Sequence, residues 1–272
     1  MKIPLPIRAI AIHAVACFTF SIPPAICQTP ASNPATTPTD RLDQTWWADR
    51  HKAVLQQVHD HPDTQLLLLG DSITHNYDKA KLPDENFQPT WQQFYAPRRA
   101  LNLGFSGDGT ANLLWRLDHG EVEGLHPKVA ILLIGTNNTG IYNQTAAETE
   151  AGIDAVIADL QRRLPSTHIL LLAILPCGGS PVRVSRIEET NRYLAGHYAS
   201  FRGVTLLDIG SIFFKDGVLN TSIFYDPRLP TPNFAVHPDT NGQRKMAEAI
   251  EPTLARLMSD TPHTTSSSQT SR

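Results

Sequence analysis

The sequence predicts an α/β fold, a three-layer α/β/α sandwich around a five-stranded, mainly parallel, doubly wound sheet. Short apolar runs alternate with longer segments of helical periodicity, which is the pattern of repeated βαβ units. The runs are too short and too apolar for surface strands and read as buried ones. No internal repeat and no second compositional block divides the body, so one domain is expected over residues 43–258 of the 272.

The chain opens differently from the rest. Lys2 and Arg8 precede an apolar segment, Ala9 to Ile22, and Ala25-Ile26-Cys27 offers a small-x-small cleavage site. Residues 1–27 are therefore expected to be an export signal. The apolar segment carries His13 and stops at Pro23-Pro24, which makes it short for a span of about 20 residues. Acylation at Cys27 is the competing use of that cysteine, although Ile26 is bulky for such a site. Residues 28–42 are rich in Thr, Pro, Ser, Asn and Ala without apolar periodicity, and are expected to be a flexible linker; 259–272 have the same character.

Within the body the strands are expected at Gln65–Leu69, Arg99–Leu103, Val129–Ile134, His168–Ile174 and Val204–Leu207. Helices are expected at Trp46–Val58, Thr110–Leu117, Ala146–Leu164, Val184–Tyr198 and Asn241–Met258. Pro252 lies inside the last of these, where it removes a backbone bond and crowds the preceding turn, so a break or kink is expected near Ala249–Glu251.

At 41% hydrophobic and 18% charged, with a net charge of −3, the chain can form an ordinary core and shows no basic cluster. Nucleic acid is not an expected partner. Two of the three cysteines, Cys17 and Cys27, fall in the expected signal, leaving Cys177 after Leu175-Pro176. A lone cysteine gives no internal disulfide and no cysteine-based metal site. The glycines at 104, 107 and 109 miss the dinucleotide order G-x-G-x-x-G.

Four polar clusters carry the chemistry. Gly70-Asp71-Ser72 follows the first strand, Asn102 to Asp108 the second, and Gly135-Thr136-Asn137-Asn138 the third; Val236-His237-Pro238 precedes the last helix. In a parallel sheet the strand ends lie along one edge and can converge. Acyl transfer by a serine needs a hydroxyl, a base and donors aimed at the developing oxyanion, and these clusters supply them. Taken singly, each has a plainer reading: Ser72 and Asp71 as helix caps, Gly107 as a loop glycine, Asn137 as a turn residue, His237 as a surface imidazole.

On these four blocks in this order the chain resembles the GDSL, or SGNH, hydrolases. Within them it is similar to the catalytic α-subunit type of platelet-activating-factor acetylhydrolase, through Leu113-Leu-Trp-Arg-Leu117, Pro127-Lys-Val129, Gly135-Thr-Asn-Asn138 and Gly203-Val-Thr-Leu-Leu-Asp208. The resemblance spans about Leu66 to Leu257 and implies a flavodoxin-like sandwich. It further implies Ser72 as nucleophile, His237 as general base, and the N–H of Ser72, the N–H of Gly107 and the side-chain amide of Asn137 as oxyanion donors. Asp71, Asp108, Trp115 and Arg116 are expected to shape the turn, the core or the rim.

The chain departs from the family at one point. The aspartate usually found three residues before the histidine is Phe234 here, in Asn233-Phe-Ala-Val-His237. Asp226 could replace it if Arg228 to Asn233 forms a bulged loop. Asp239 is close in sequence but on the far side of the histidine, and a Ser-His dyad held by a backbone carbonyl is the third possibility. Asp226 is preferred, and the geometry required is a carboxyl oxygen within about 3.2 Å of a ring nitrogen.

The functional expectation is an exported serine esterase, periplasmic or secreted, that removes a short acyl group such as acetyl from a carbohydrate or lipid ester through an acyl-enzyme on Ser72. It needs no metal or cofactor, since hydroxyl, base and donors are protein groups. The partner is a small-molecule or glycan ester, with no membrane span after signal cleavage. The rival is a non-catalytic module that binds an acylated glycan or lipid, and Phe234 is its main support.

Overall fold

The computed structural model describes residues 32–263. Its central sheet is formed by β1 (Leu66–Gly70), β2 (Ala100–Gly104), β3 (Val129–Leu133), β4 (His168–Leu172) and β5 (Val204–Leu207). They lie in the order β2-β1-β3-β4-β5, all neighbours parallel, with Leu66 in register with both Ala100 and Val129. The expected sandwich is therefore present. Because the chain runs from β1 outward to β2 and then returns to β3 on the other side, the order reverses at β1, where such sheets place ligands.

Each strand feeds two cores, since successive side chains point to opposite faces. Leu67 and Leu69 of β1 pack with α1 (Thr45–Asp60), α3 (Thr110–Asp118), α4 (Ala146–Arg163) and α5 (Pro181–His197). Leu66 and Leu68 face the other layer, built from α2 (Gln88–Phe94) and α6 (Thr240–Met258). Helix starts follow their capping residues. Thr145 and Glu148 form a reciprocal box at α4, Ser180 followed by Pro181 opens α5, and Asp239 accepts from Gly242 N at 2.7 Å to open α6. Pro181 suits a first helical turn, so α5 begins ahead of the expected Val184. The helix α2 had no counterpart among the sequence expectations.

Three expectations change. Residues 32–42, read as linker, pack on the body: Ala35 is fully buried, and its carbonyl accepts from Thr110 Oγ1 at 2.7 Å. Thr39 O accepts from Asn112 Nδ2 at 2.9 Å. Composition hid this because these two contacts are made by backbone carbonyls, which any residue supplies. At the other end, the first residues of the expected tail are held as well: Asp260 pairs with Arg98 at 2.8 Å, and His263 N donates to Glu251. The break near Ala249–Glu251 does not occur. Helix α6 runs unbroken through Pro252, whose exposed position leaves the freed carbonyl to water. The expected signal, residues 1–27, and residues 28–31 and 264–272 lie outside the described residues.

Candidate active site

Strand β1 ends on Gly70, where an added Cβ would come within 2.3 Å of Leu133 O and 2.5 Å of Thr74 Oγ1. Only glycine lets the chain turn this close to β3. Asp71 follows, fully buried, and its Oδ1 accepts from Ile73 N at 2.9 Å. It thereby caps the single helical turn Ser72–His75. Burial pushes its carboxyl up to about 7, and its second oxygen has no partner among the described residues. Asp71 thus shapes the turn that presents Ser72, as expected.

Ser72 Oγ lies 2.9 Å from His237 Nε2. On the opposite side of the ring, His237 Nδ1 lies 2.7 Å from Asp226 Oδ2. The second contact is close but bent, because Nδ1 has no acceptor along its N–H direction. Asp226 reaches the ring because its segment folds back on itself. Phe224 and Pro238 form an isolated antiparallel bridge, Tyr225 N donates to His237 O at 3.0 Å, and Asp226 N donates to Pro232 O at 2.8 Å. The bulge expected between Arg228 and Asn233 is therefore present.

Neither of the other two possibilities takes that place: no backbone carbonyl is paired with His237 Nδ1 among the described residues. Asp239 is committed to capping α6. Phe234, at the position where the family aspartate is usual, lines the cleft, 37% exposed, beside Gly178. Burial raises the Asp226 carboxyl, but hydrogen bonds from Arg228 and the nearby imidazole outweigh it and hold the group below the usual carboxylate range. Burial lowers the His237 pKa, against the opposing pull of Asp226. The imidazole is thus neutral at neutral pH, and with a proton on Nδ1 its Nε2 is free to accept one from Ser72.

The expected donors face the same cleft as Ser72. Gly107 has φ +81°, a left-handed conformation that favours glycine. Asn137 is buried at the start of the turn after β3, and its Nδ2 donates to Asp108 O at 2.9 Å, which fixes the amide plane and leaves its second N–H available. No protein acceptor is paired with the N–H of Ser72 or of Gly107 among the described residues. Three donors around one hydroxyl, with a neutral imidazole behind it, can carry out acyl transfer.

What the sequence did not reveal is how this loop is held. Asp108 is fully buried and binds three cations or donors at once: Arg41 Nη1, Trp47 Nε1 and Arg116 Nε, each at 2.9 Å. Arg41 also donates to Ser106 O at 2.8 Å. Arg116 bridges on to Glu121 and stacks 4.0 Å from the Phe105 ring, so it lies in the interior and not on the rim. His75 Nδ1 accepts from Ser106 N at 3.2 Å, and burial drives its pKa down to about 3, so it stays a neutral acceptor. An Arg in a low-complexity stretch and a His one turn past the serine carry no pattern that marks them as loop anchors.

The cleft has a volume of about 590 Å³, and Arg183, Arg186 and Arg228 are among the residues that line it. Cys177 is buried outside it, with its thiol pKa raised by burial. Among the described residues no group of three His, Cys, Asp or Glu is placed to hold a metal ion, and no helix is long and apolar enough to cross a membrane.

Comparison with known proteins adds four findings. Residues 68–245 match the model of the GDSL-like lipase/acylhydrolase family. The chain is 29% identical over 237 residues to platelet-activating factor acetylhydrolase IB subunit alpha2 of Rattus norvegicus, covering 85% of this chain and 94% of that protein. Among solved structures it is similar to a GDSL-like lipase from Bacteroides thetaiotaomicron, with a TM-score of 0.57 and 16% identity over 74% of this chain and 97% of the other. It is also similar to a carbohydrate esterase of family 3 from Talaromyces cellulolyticus, with a TM-score of 0.51 and 17% identity over 73% of this chain and 99% of the other. At these identities the structural likenesses speak for the fold.

Proposed function

Because this chain belongs to the GDSL-like lipase/acylhydrolase family and is a carboxylic ester hydrolase, we propose that it is an exported serine esterase that removes a short acyl group, acetyl in the first instance, by way of an acyl-enzyme on Ser72. The observation that carries the reading is the line Ser72 Oγ, His237, Asp226, with contacts of 2.9 and 2.7 Å. His237 Nε2 takes the Ser72 proton as Oγ attacks the acyl carbon. The carbonyl oxygen then becomes an oxyanion between the N–H groups of Ser72 and Gly107 and the free N–H of Asn137. The same imidazole returns its proton to the departing alkoxide. In the second half it deprotonates the water that attacks the acyl-enzyme, and Ser72 is regenerated.

Acetyl is favoured because the curated relatives, which match over most of their length, are named acetylhydrolases. Export rests on Lys2, Arg8 and the apolar segment that follows them. An outer compartment favours a glycan ester over a lipid ester as the natural substrate. The rival reading, a non-catalytic binding module, drew its support from Phe234; Asp226 Oδ2 at 2.7 Å from His237 Nδ1 supports the esterase reading instead. Turnover of p-nitrophenyl acetate by the wild type, lost in Ser72→Ala, is the expected result. Two equally inert proteins would refute it. A native-host mass equal to that of residues 1–272 would refute export with signal cleavage.

A further inference from the structure

We propose that the cleft recognises an anionic group, a carboxylate or a phosphate carried on the alcohol side of the ester, through Arg183 and Arg186. This rests on the esterase reading above. Both arginines lie in the first two turns of α5, three residues apart and so on one face of the helix, and both line the cleft that holds Ser72 and His237.

Elsewhere among the described residues, every arginine that is buried or half-buried is paired with a carboxylate. Arg116 bonds Asp108 and Glu121, Arg98 bonds Glu251 and Asp260, Arg41 bonds Asp108, and Arg50 bonds Asp78. Arg183 and Arg186 have no carboxylate within ion-pair distance among the described residues. Arg183 is held only by carbonyls, with Nη2 donating to Thr136 O at 3.2 Å and Nη1 to Gly178 O at 3.4 Å. Its Nε is buried and has no acceptor. Arg186 Nη1 donates to Asn143 O at 3.1 Å and to Asn143 Oδ1 at 2.6 Å. Carbonyls fix the guanidinium planes without neutralising them.

The cleft wall therefore carries three guanidinium groups and one carboxylate, and that carboxylate, Asp226, is already engaged by His237 and Arg228. Asp71 and Glu148 feel the charges of Arg183 and Arg186 at a distance without pairing with them. This cationic wall stands in a chain whose net charge is −3. A guanidinium stays charged at any working pH and presents a planar fork that matches a carboxylate or phosphate. With the acyl side taken by acetyl, the anion sits on the alcohol. Arg183 reaches Thr136 O, next to Asn137, so the anion would be bound close to the reacting ester.

The test compares acetyl esters of glycerol 3-phosphate and of methyl glucuronoside with those of glycerol and methyl glucoside. One anionic ester is expected to exceed its neutral partner by roughly 10- to 100-fold in kcat/KM, the range for charged hydrogen bonds. The pair that shows the preference identifies phosphate or carboxylate. That ratio should fall toward one in Arg186→Gln and in Arg183→Lys, which keeps charge but loses the fork, and it should shrink with added salt. Calorimetry on the Ser72→Ala protein with glycerol 3-phosphate and methyl glucuronoside, against glycerol and methyl glucoside, reads binding apart from turnover. Equal kcat/KM for charged and neutral esters, or a preference undiminished in both variants, overturns the proposal while the esterase reading stands. If no ester is cleaved, p-nitrophenyl acetate included, the esterase reading falls, and absence of a calorimetric difference removes this proposal with it.

Discussion

On one side of the cleft, Gly107 and Asn137 follow the ends of β2 and β3 and stand beside Asp108, whose backbone carbonyl accepts from Asn137 and whose fully buried carboxylate binds Arg41, Trp47 and Arg116. On the other, Asp226 and His237 sit in a segment without a regular strand or long helix, held by one antiparallel bridge and a few backbone bonds. The donor side is thus built into the core, and the base side is a folded loop laid over it. The difference separates two kinds of precision: one is set by sheet register and a buried ionic node, the other by a short network that pins two distant points of one loop together. It also predicts that damage on the base side will be chemical with the fold intact, while damage on the donor side will reach the loop that carries the donors.

The largest effect is expected from Asp226→Asn. It should lower kcat by up to about 10⁴, as loss of a triad acid does, with the melting temperature changed by only a few degrees. Asp239→Asn should leave kcat within about twofold, because that residue caps α6 and an asparagine caps as well. The pH profile sharpens the contrast. Turnover needs neutral His237, whose pKa burial lowers, so the acidic limb of kcat/KM should lie below the ordinary imidazole value of about 6.5. Asp226 raises that pKa, so its neutralisation should move the limb further toward acid. A limb that stays in place in Asp226→Asn would mean that the carboxylate does not act on the ring.

Next comes Asn137→Ala. Loss of one oxyanion donor should lower kcat by about 10² to 10³ with little change in KM, because the donor acts chiefly in the transition state. A rise in KM alone would assign Asn137 to substrate binding.

The same comparison explains what the sequence made legible. Strand ends could be read because a buried run such as Leu66-Leu67-Leu68-Leu69 marks its own end, and the residues after it must lie on the sheet's carboxyl edge. Ser72, Gly107 and Asn137 all follow such runs, and His237 comes just ahead of a periodic helix. Asp226 could be named only as one of several candidates. Its position depends on a reversal between 224 and 238 with no periodicity to announce it, and on a pairing of Tyr225 N with His237 O that is invisible in side-chain identities. Arg41 was missed for a related reason. Its surroundings have the composition of a linker, and composition does not register a segment that packs through its carbonyls.

The smallest expected effect is at Arg41, and it tests whether that overlooked segment matters to the donor side. Arg41 Nη1 bonds Ser106 O at 2.8 Å and Asp108 Oδ1 at 2.9 Å, one residue to either side of Gly107. A Cβ built on Gly107 would come within 2.8 Å of the same nitrogen, so the guanidinium lies directly against the donor's backbone. Arg41→Ala should let the loop drift without removing any donor, and Asp108 keeps Arg116 and Trp47. We therefore expect kcat to fall by roughly tenfold, the lower end for a charge-assisted bond, with KM nearly unchanged. Arg41→Lys can reach one of the two acceptors and should recover part of the loss. A residue that merely holds the segment down would lower thermal stability and leave kcat alone. Cleavage near Cys27, as proposed above, would keep Arg41 in the mature chain, whereas removal of residues up to 42 should reproduce the Arg41→Ala defect.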